Sequence, residues 1–282
     1  MYHIGMLWVE GPLSYVEQLC VQSFLDAGHE VTLYHYGPVS NVPDGAAIVH
    51  GDAILKRDTF LQHGRTNSLA LFSDVFRYHL LTQGTGMIWA DTDAYCVKPF
   101  ESETGHYFGW ESKRHINGGV LGLPADSAAL AGLLEMTEDE YGIPFWYSDG
   151  AREKLQALAD AGTPTHVSEL PWGVWGPHAV TAWLKRTGED EYAFARDVLY
   201  PVPFEMRRKM VKTGGRKAAE GYLTENTTSI HLYGRRIREF LASRPDGLPD
   251  KGGLIDHLLR KHGIDPRAAP VFSKEEKAEA VE

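Results

Sequence analysis

The 282 residues are enough to bury a full α/β core as one large domain, alone or with a grafted subdomain. A hydrophobic content of 43% with 23% charged residues excludes disorder and gives no membrane span. A net charge of -10 argues against nucleic-acid binding, which needs clustered cations to release counterions.

Residues 3–9 form an apolar run bounded by Gly11 and Pro12, which predicts a buried first strand and places the start of the chain inside it. Ser14, with Glu17 three places on, has the form of a capping box. Val16, Leu19, Cys20 and Phe24 then recur at helical spacing as far as Gly28. Strands are expected at 31–36 and, more weakly, at 46–50, so strand and helix alternate as in a largely parallel α/β sheet.

Residues 68–83 are densely apolar at helical spacing and closed by Gly84. Within them Asp74 and Arg77 share one helix face, either as a solvent-facing ion pair or as a buried functional one. Met87–Ala90 reads as a strand running into Asp91-Thr92-Asp93. Carboxylates at the carboxyl end of a strand stand where open α/β sheets bind ligands. On an extended segment the alternating side chains would set both on one side, to share a hard divalent ion with a diphosphate. A plain turn is the alternative reading. Asn117 to Leu123 gives a further strand, whose glycines permit close approach of a ligand.

The middle, 125–185, is helical in character, with breaks at 142–146 and 171–177. Short strands are expected at 200–204 and 229–233, a mobile loop at 212–221, and a frayed charged tail at 274–282. Cys20 and Cys96 are read as reduced and buried, and the thirteen histidines lack metal-site spacing. A basic stretch, Arg207, Arg208, Lys209, Lys212, Arg216 and Lys217, is followed by Arg235, Arg236 and Arg238. It is either a solvated face, a guide for an anionic or membrane-attached acceptor, or a lid.

These residues resemble, in ordered blocks, the glycosyltransferases with a DXD sugar-binding region. That group includes yeast initiating mannosyltransferases, α1,4-galactosyltransferases and bacterial capsule and lipopolysaccharide transferases, with the glucosylating clostridial toxins as distant relatives. The blocks are His3 to Trp8, Ser73 to Tyr78, Met87 to Asp93, Asn117-Gly118-Gly119, Gly176-Pro177 with Thr181, and Ser229-Ile230-His231. Gly84-Thr85-Gly86 and Tyr233 depart from the family's usual Gly-Gly and Trp.

The resemblance implies a GT-A-type nucleotide-sugar-binding fold with a central, mostly parallel sheet flanked by helices and a helical insertion. Its single catalytic domain would span 1–265, with a donor half at 1–123, an acceptor half at 124–265 and a tail at 266–282. Trp8 would lie against the base, and Asp74 and Arg77 would hold donor hydroxyls. Asp91 would meet the ribose or the metal, Asp93 would be the direct metal ligand, and His231 would complete the metal site. Asn117, with Gly118 and Gly119, would face the reacting sugar. The implied cofactors are Mn²⁺ or Mg²⁺ and a nucleotide sugar, UDP-linked rather than GDP-linked. The acceptor would be a glycan, a lipid-linked molecule or another hydroxyl compound. Transfer of a hexose would be retaining and would need no protein base, although Glu111 and Asp149 are available. A cytoplasmic location, peripheral at the membrane, follows from the same likeness. The rival classes are a haloacid-dehalogenase-type phosphatase, with Asp91 as nucleophile and a later lysine, and a degenerate nucleotide-sugar-binding protein.

Overall fold

The structure is a computed structural model and describes residues 2–57, 59–84 and 86–271. The 274–282 tail and Thr85 lie outside the described residues. The strands are β1 (His3–Leu7), β2 (Gly11–Pro12), β3 (Glu30–His35), β4 (Val39–Ser40), β5 (Ala47–His50), β6 (Met87–Ala90), β7 (Ala94–Cys96), β8 (Tyr107–Trp110), β9 (Ile116–Gly122) and β10 (Ser229–His231). The main sheet runs β5-β3-β1-β6-β9-β8. β5, β3, β1 and β6 are parallel, and only the β6–β9 and β9–β8 pairings are antiparallel.

The period of two in the strands sorts the core. Ile4, Met6, Val31, Leu33, Ile88 and Ala90 face α1 (Tyr15–Asp26), whereas Tyr34, Trp89 and Leu121 face α2 (Ala70–Leu81), α3 (Ala128–Thr137) and α5 (Ala179–Thr187). Each fully buried Leu or Phe among them contributes roughly 1.5–3 kcal/mol. α1 is covered twice. Val21 and Phe24 touch the sheet side, while Tyr15, Val16, Leu19 and Cys20 pack on a C-terminal layer. That layer contains α7 (Arg207–Val211), α8 (Arg216–Glu220), α9 (Gly234–Ala242) and α10 (Leu254–Lys261). Ala269 and Val271 are buried against the same part of the molecule, and Tyr15 N–H donates to Ala269 O at 2.7 Å.

The capping box of α1 is present, with Ser14 N–H donating to Glu17 Oε2 at 2.9 Å. Cys20 and Cys96 are buried and free. In the middle segment α4 (Asp149–Asp160) buries no residue, unlike α3 and α5. No helix of the described residues is long and apolar enough to cross a membrane.

Two expected elements differ. Residues 200–204 form no strand. A short helix α6 (Arg196–Leu199) precedes them and a 3-10 turn at Phe204–Met206 follows, because Pro201 and Pro203 have no N–H for a ladder. Residues 212–221 are not an open loop but a 3-10 turn, Thr213–Gly215, leading into α8. Gly215 is there for space, since a Cβ would stand 2.3 Å from Lys209 O. Thr213 also bonds Lys251 O at 2.8 Å, which anchors the turn.

Candidate active site

The sheet order makes β1 and β6 neighbours although α1, β3, β5 and α2 come between them in the chain. The chain thus reverses its direction of winding there, leaving a crevice beyond the two carboxyl ends. A cavity of about 510 Å³ opens in it, lined from β1 by Leu7, Trp8 and Glu10 and from β6 by Trp89, Asp91 and Asp93. α2 supplies Ser73, Asp74 and Arg77 from the side, and α9 supplies Arg238.

Asp74 and Arg77 are both nearly inaccessible, at 6% and 5%, and form an ion pair of 3.1 Å. The pair is therefore buried and not solvent-facing. Arg77 reaches on to Asp91, with Nη2 donating to Oδ1 at 3.0 Å, and the same oxygen accepts from Trp89 Nε1 at 2.7 Å. The guanidinium lies over the Trp89 ring, 5.0 Å from its centroid. One cation thus faces two carboxylates in a desolvated wall. Burial pushes the Asp74 carboxyl up to about 7 against the pull of Arg77, and Asp91 adds to the rise. Asp91 is raised as well, by burial first, against Arg77, and Asp93 adds to it.

Asp91-Thr92-Asp93 is a turn, closed by Ala94 N–H donating to Asp91 O at 2.9 Å, and not the extended segment expected. The carboxylates consequently have separate surroundings. Asp91 looks to Arg77. Asp93 looks to the C-terminal layer, where Gly234 N–H donates to its Oδ2 at 2.6 Å. β10 pairs antiparallel with β7, setting His231 opposite Ala94. His231 Nδ1 then lies 3.6 Å from Asp93 Oδ1, and both atoms are buried without a hydrogen-bond partner.

Such orphaned buried atoms are rare and costly, and a carboxylate oxygen facing an imidazole nitrogen is a donor set that suits a divalent ion. Among the described residues no group of three or more His, Cys, Asp or Glu is placed to hold a metal. An ion here would have two protein donors and take the rest of its shell from water and a diphosphate.

β9 forms the floor. A Cβ on Gly118 would stand 2.4 Å from Arg77 Nη1; one on Gly119 would stand 3.2 Å from Asp91 Oδ2 and 3.5 Å from His231 Cε1. These two glycines are what lets the charged residues close over the strand. Thr181 Oγ1 accepts from Ile116 N–H at 2.9 Å and donates to Pro177 O at 2.6 Å, fixing the strand that carries them. Asn117 lines neither this cavity nor the one beside it. Its amide is engaged within the protein, Nδ2 donating to Glu111 Oε2 at 2.9 Å and Oδ1 accepting from Gly119 N–H at 2.7 Å. Asp149 is exposed at the start of α4 and lines neither cavity.

Trp8 follows β1 on the cavity wall, its Nε1 donating to Gly11 O at 3.2 Å and its ring under Arg238, 5.5 Å away. Arg238 is a site residue that the sequence placed only in a basic run. It is held by Glu17, the fully buried capping-box carboxylate of α1. Trp172, exposed on the rim, escaped notice, and Arg235 above it at 5.8 Å was likewise placed only in the basic run. Asp93, Trp172 and Arg235 also line a second cavity of about 600 Å³, which holds His231, so the orphaned pair sits where two cavities meet.

Fold and site together define an α/β protein with a cavity lined by charged and aromatic side chains at the carboxyl edge of a mostly parallel sheet. No family model matches the sequence, and no curated protein matches it. Among solved structures it is similar to the PaToxG glycosyltransferase, with a TM-score of 0.41 and 14% identity over 67% of this chain and 70% of that one. It is also similar to mouse xyloside xylosyltransferase 1 in its apo form, at 0.38 and 11% over 82% and 96%. A third is a transferase carrying two cysteine-to-serine substitutions, at 0.34 and 12% over 60% and 91%.

Proposed function

We propose that this protein is a metal-assisted glycosyltransferase that uses a nucleotide sugar, UDP-linked in preference to GDP-linked. The observation that carries the reading is the orphaned pair of Asp93 Oδ1 and His231 Nδ1 at the junction of two cavities, one of a size for a nucleotide sugar. Donor and acceptor would meet there, with the diphosphate beside the pair.

Asp93 and His231 would hold Mn²⁺ or Mg²⁺. When bound, the ion supplies positive charge for the departing nucleoside diphosphate. Trp8 offers an aromatic wall to the base. Asp74, at the edge of the cavity, accepts from donor hydroxyls. Arg77, shared between Asp74 and Asp91, fixes both carboxylates and brings positive charge to the reacting sugar. Arg238 and Arg235 reach the same cavity from α9 and would bind phosphate oxygens. In a retaining, front-face reaction the acceptor hydroxyl passes its proton to the leaving diphosphate, so no protein carboxylate need act as nucleophile.

The phosphatase alternative needs a lysine beside Asp91, and none of the residues lining the cavity is a lysine. A thermal-shift panel of UDP- and GDP-sugars with Mn²⁺ tests the proposal, since a ligand at about 100 times its Kd adds about 2.7 kcal/mol of apparent stability. A UDP-sugar should raise the melting temperature in a metal-dependent way and then be hydrolysed slowly. No shift with any nucleotide sugar, or a phosphoenzyme on Asp91, would overturn it.

A further inference from the structure

The second cavity differs in character from the first. Arg65, Trp172, Phe204, Tyr233, Arg235 and Arg236 line it together with the orphaned pair. Phe204 and Arg236 also wall a groove of about 410 Å³ between α7 and α9, where Arg207 and Arg208 are added. Cavity and groove together present five arginines against two carboxylates, Asp93 and Glu239, on a chain of net charge -10. Glu239 is shared by Arg235 at 3.4 Å and Arg236 at 3.0 Å. Arg65, Arg207 and Arg208 form no ion pair among the described residues.

The cations are interleaved with aromatic faces. Arg207 lies 3.8 Å above Phe204, Arg208 5.0 Å from Phe240, and Arg235 over Trp172. Trp172 and Phe204 are each close to half exposed, and Trp172 is steadied by His63, buried and 5.5 Å away. Flat apolar faces suit the C–H side of pyranose rings, and planar guanidinium groups suit carboxylate or sulfate substituents. Together the two cavities extend well beyond a monosaccharide.

We propose that this cavity and groove bind an acidic oligosaccharide, a glycan carrying a carboxylate or similar anion on its sugars, with its end directed to the Asp93–His231 junction. That this glycan is the acceptor rests on the glycosyl-transfer reading. That the ligand is an anionic glycan does not, because it follows from the arginines and aromatic faces alone. The basic residues concerned are Arg65, Arg235, Arg236, Arg207 and Arg208, and not the run on to Lys217, since Lys209 and Lys217 line neither space.

Titration calorimetry with hexagalacturonate, with maltohexaose as its neutral counterpart and without any nucleotide sugar, tests the inference directly. The 282-residue chain should bind hexagalacturonate more weakly as salt rises and should not bind maltohexaose. An Arg65→Gln/Arg236→Gln variant with an unchanged melting temperature should bind about tenfold more weakly. Arg152→Gln, on exposed α4, should bind as the parent does. Equal binding of the two hexasaccharides, no loss in the double variant, or binding of phosphatidylglycerol vesicles in place of the acidic sugar would overturn it. Hexagalacturonate binding by a protein that recognises no nucleotide sugar would instead refute the transferase reading and leave the glycan site standing.

Discussion

Asp93 Oδ1 and His231 Nδ1 face each other at 3.6 Å, both shut off from solvent, too far apart to satisfy one another. In the proposed function the two atoms would hold a divalent ion between them. Chelation should therefore abolish donor hydrolysis, and Mn²⁺ should restore it. Asp93→Asn keeps the size and the contact with Gly234 but loses the charge, and should lower turnover by about 100-fold or more. Full activity of this variant at ordinary metal levels would remove Asp93 from the site.

The raised Asp74 carboxyl makes a statement about pH. Its folded value of about 7 lies above the ordinary 3.8, so the folded chain holds more protons than the unfolded one between these limits. Stability then falls as pH rises through that window, and the raised Asp91 acts in the same direction. Urea denaturation across it should show the decline, and Asp74→Asn should flatten part of it. A slope unaltered by the substitution would mean that the Asp74 carboxyl is already ionised throughout.

Asp74→Ala would remove the proposed donor contact without touching Asp93, so turnover should drop while UDP binding stays near that of the parent. A variant with normal turnover would return the Asp74–Arg77 pair to a purely architectural role.

Gly118 can be tested by one methyl group. A Cβ there would meet Arg77 Nη1 at 2.4 Å, so Gly118→Ala must push the guanidinium out of place. Overpacking of this kind costs about 1–3 kcal/mol. The larger effect should be on kcat, because Arg77 fixes both Asp74 and Asp91. Unchanged kcat alongside lowered stability would show that the placement of Arg77 is not needed for turnover.

Arg238 partners a fully buried Glu17, and removing it leaves a carboxylate without compensation. Arg238→Gln should cost about 3–5 kcal/mol, and adding Glu17→Gln should recover part of it. Denaturation midpoints of the single and double variants measure this. Additive losses would mean that the pair is not coupled.

The elements legible in the sequence were those with local causes. The capping box of Ser14 and Glu17, the helical period around Asp74 and Arg77, and the apolar strand running into Asp91 all lie within a few residues of what they determine. At Asp91-Thr92-Asp93 the sequence left a turn and an extended segment both open, and it gave no sign of what parts the two carboxylates, Arg77 on one and Gly234 on the other. Those contacts span 14 and 141 residues. Arg238 was equally hidden, since its partner lies 221 residues away. The helical state of 213–220 was lost for another reason. Glycines that signal flexibility by composition serve at Gly215 to let α8 pack against Lys209.

The pairing of β10 with β7 carries a consequence for biosynthesis. At a ribosome, Asp91 and Asp93 emerge long before β10 and the turn at Gly234 that complete their surroundings. The sheet, α1 and α2 can form first, but the half-built cavity then has no partner for Asp93 and no arginines from α9. Contacts of such sequence separation form late. The carboxylates spend that interval open to water, and the Asp93–His231 junction exists only once the C-terminal layer docks.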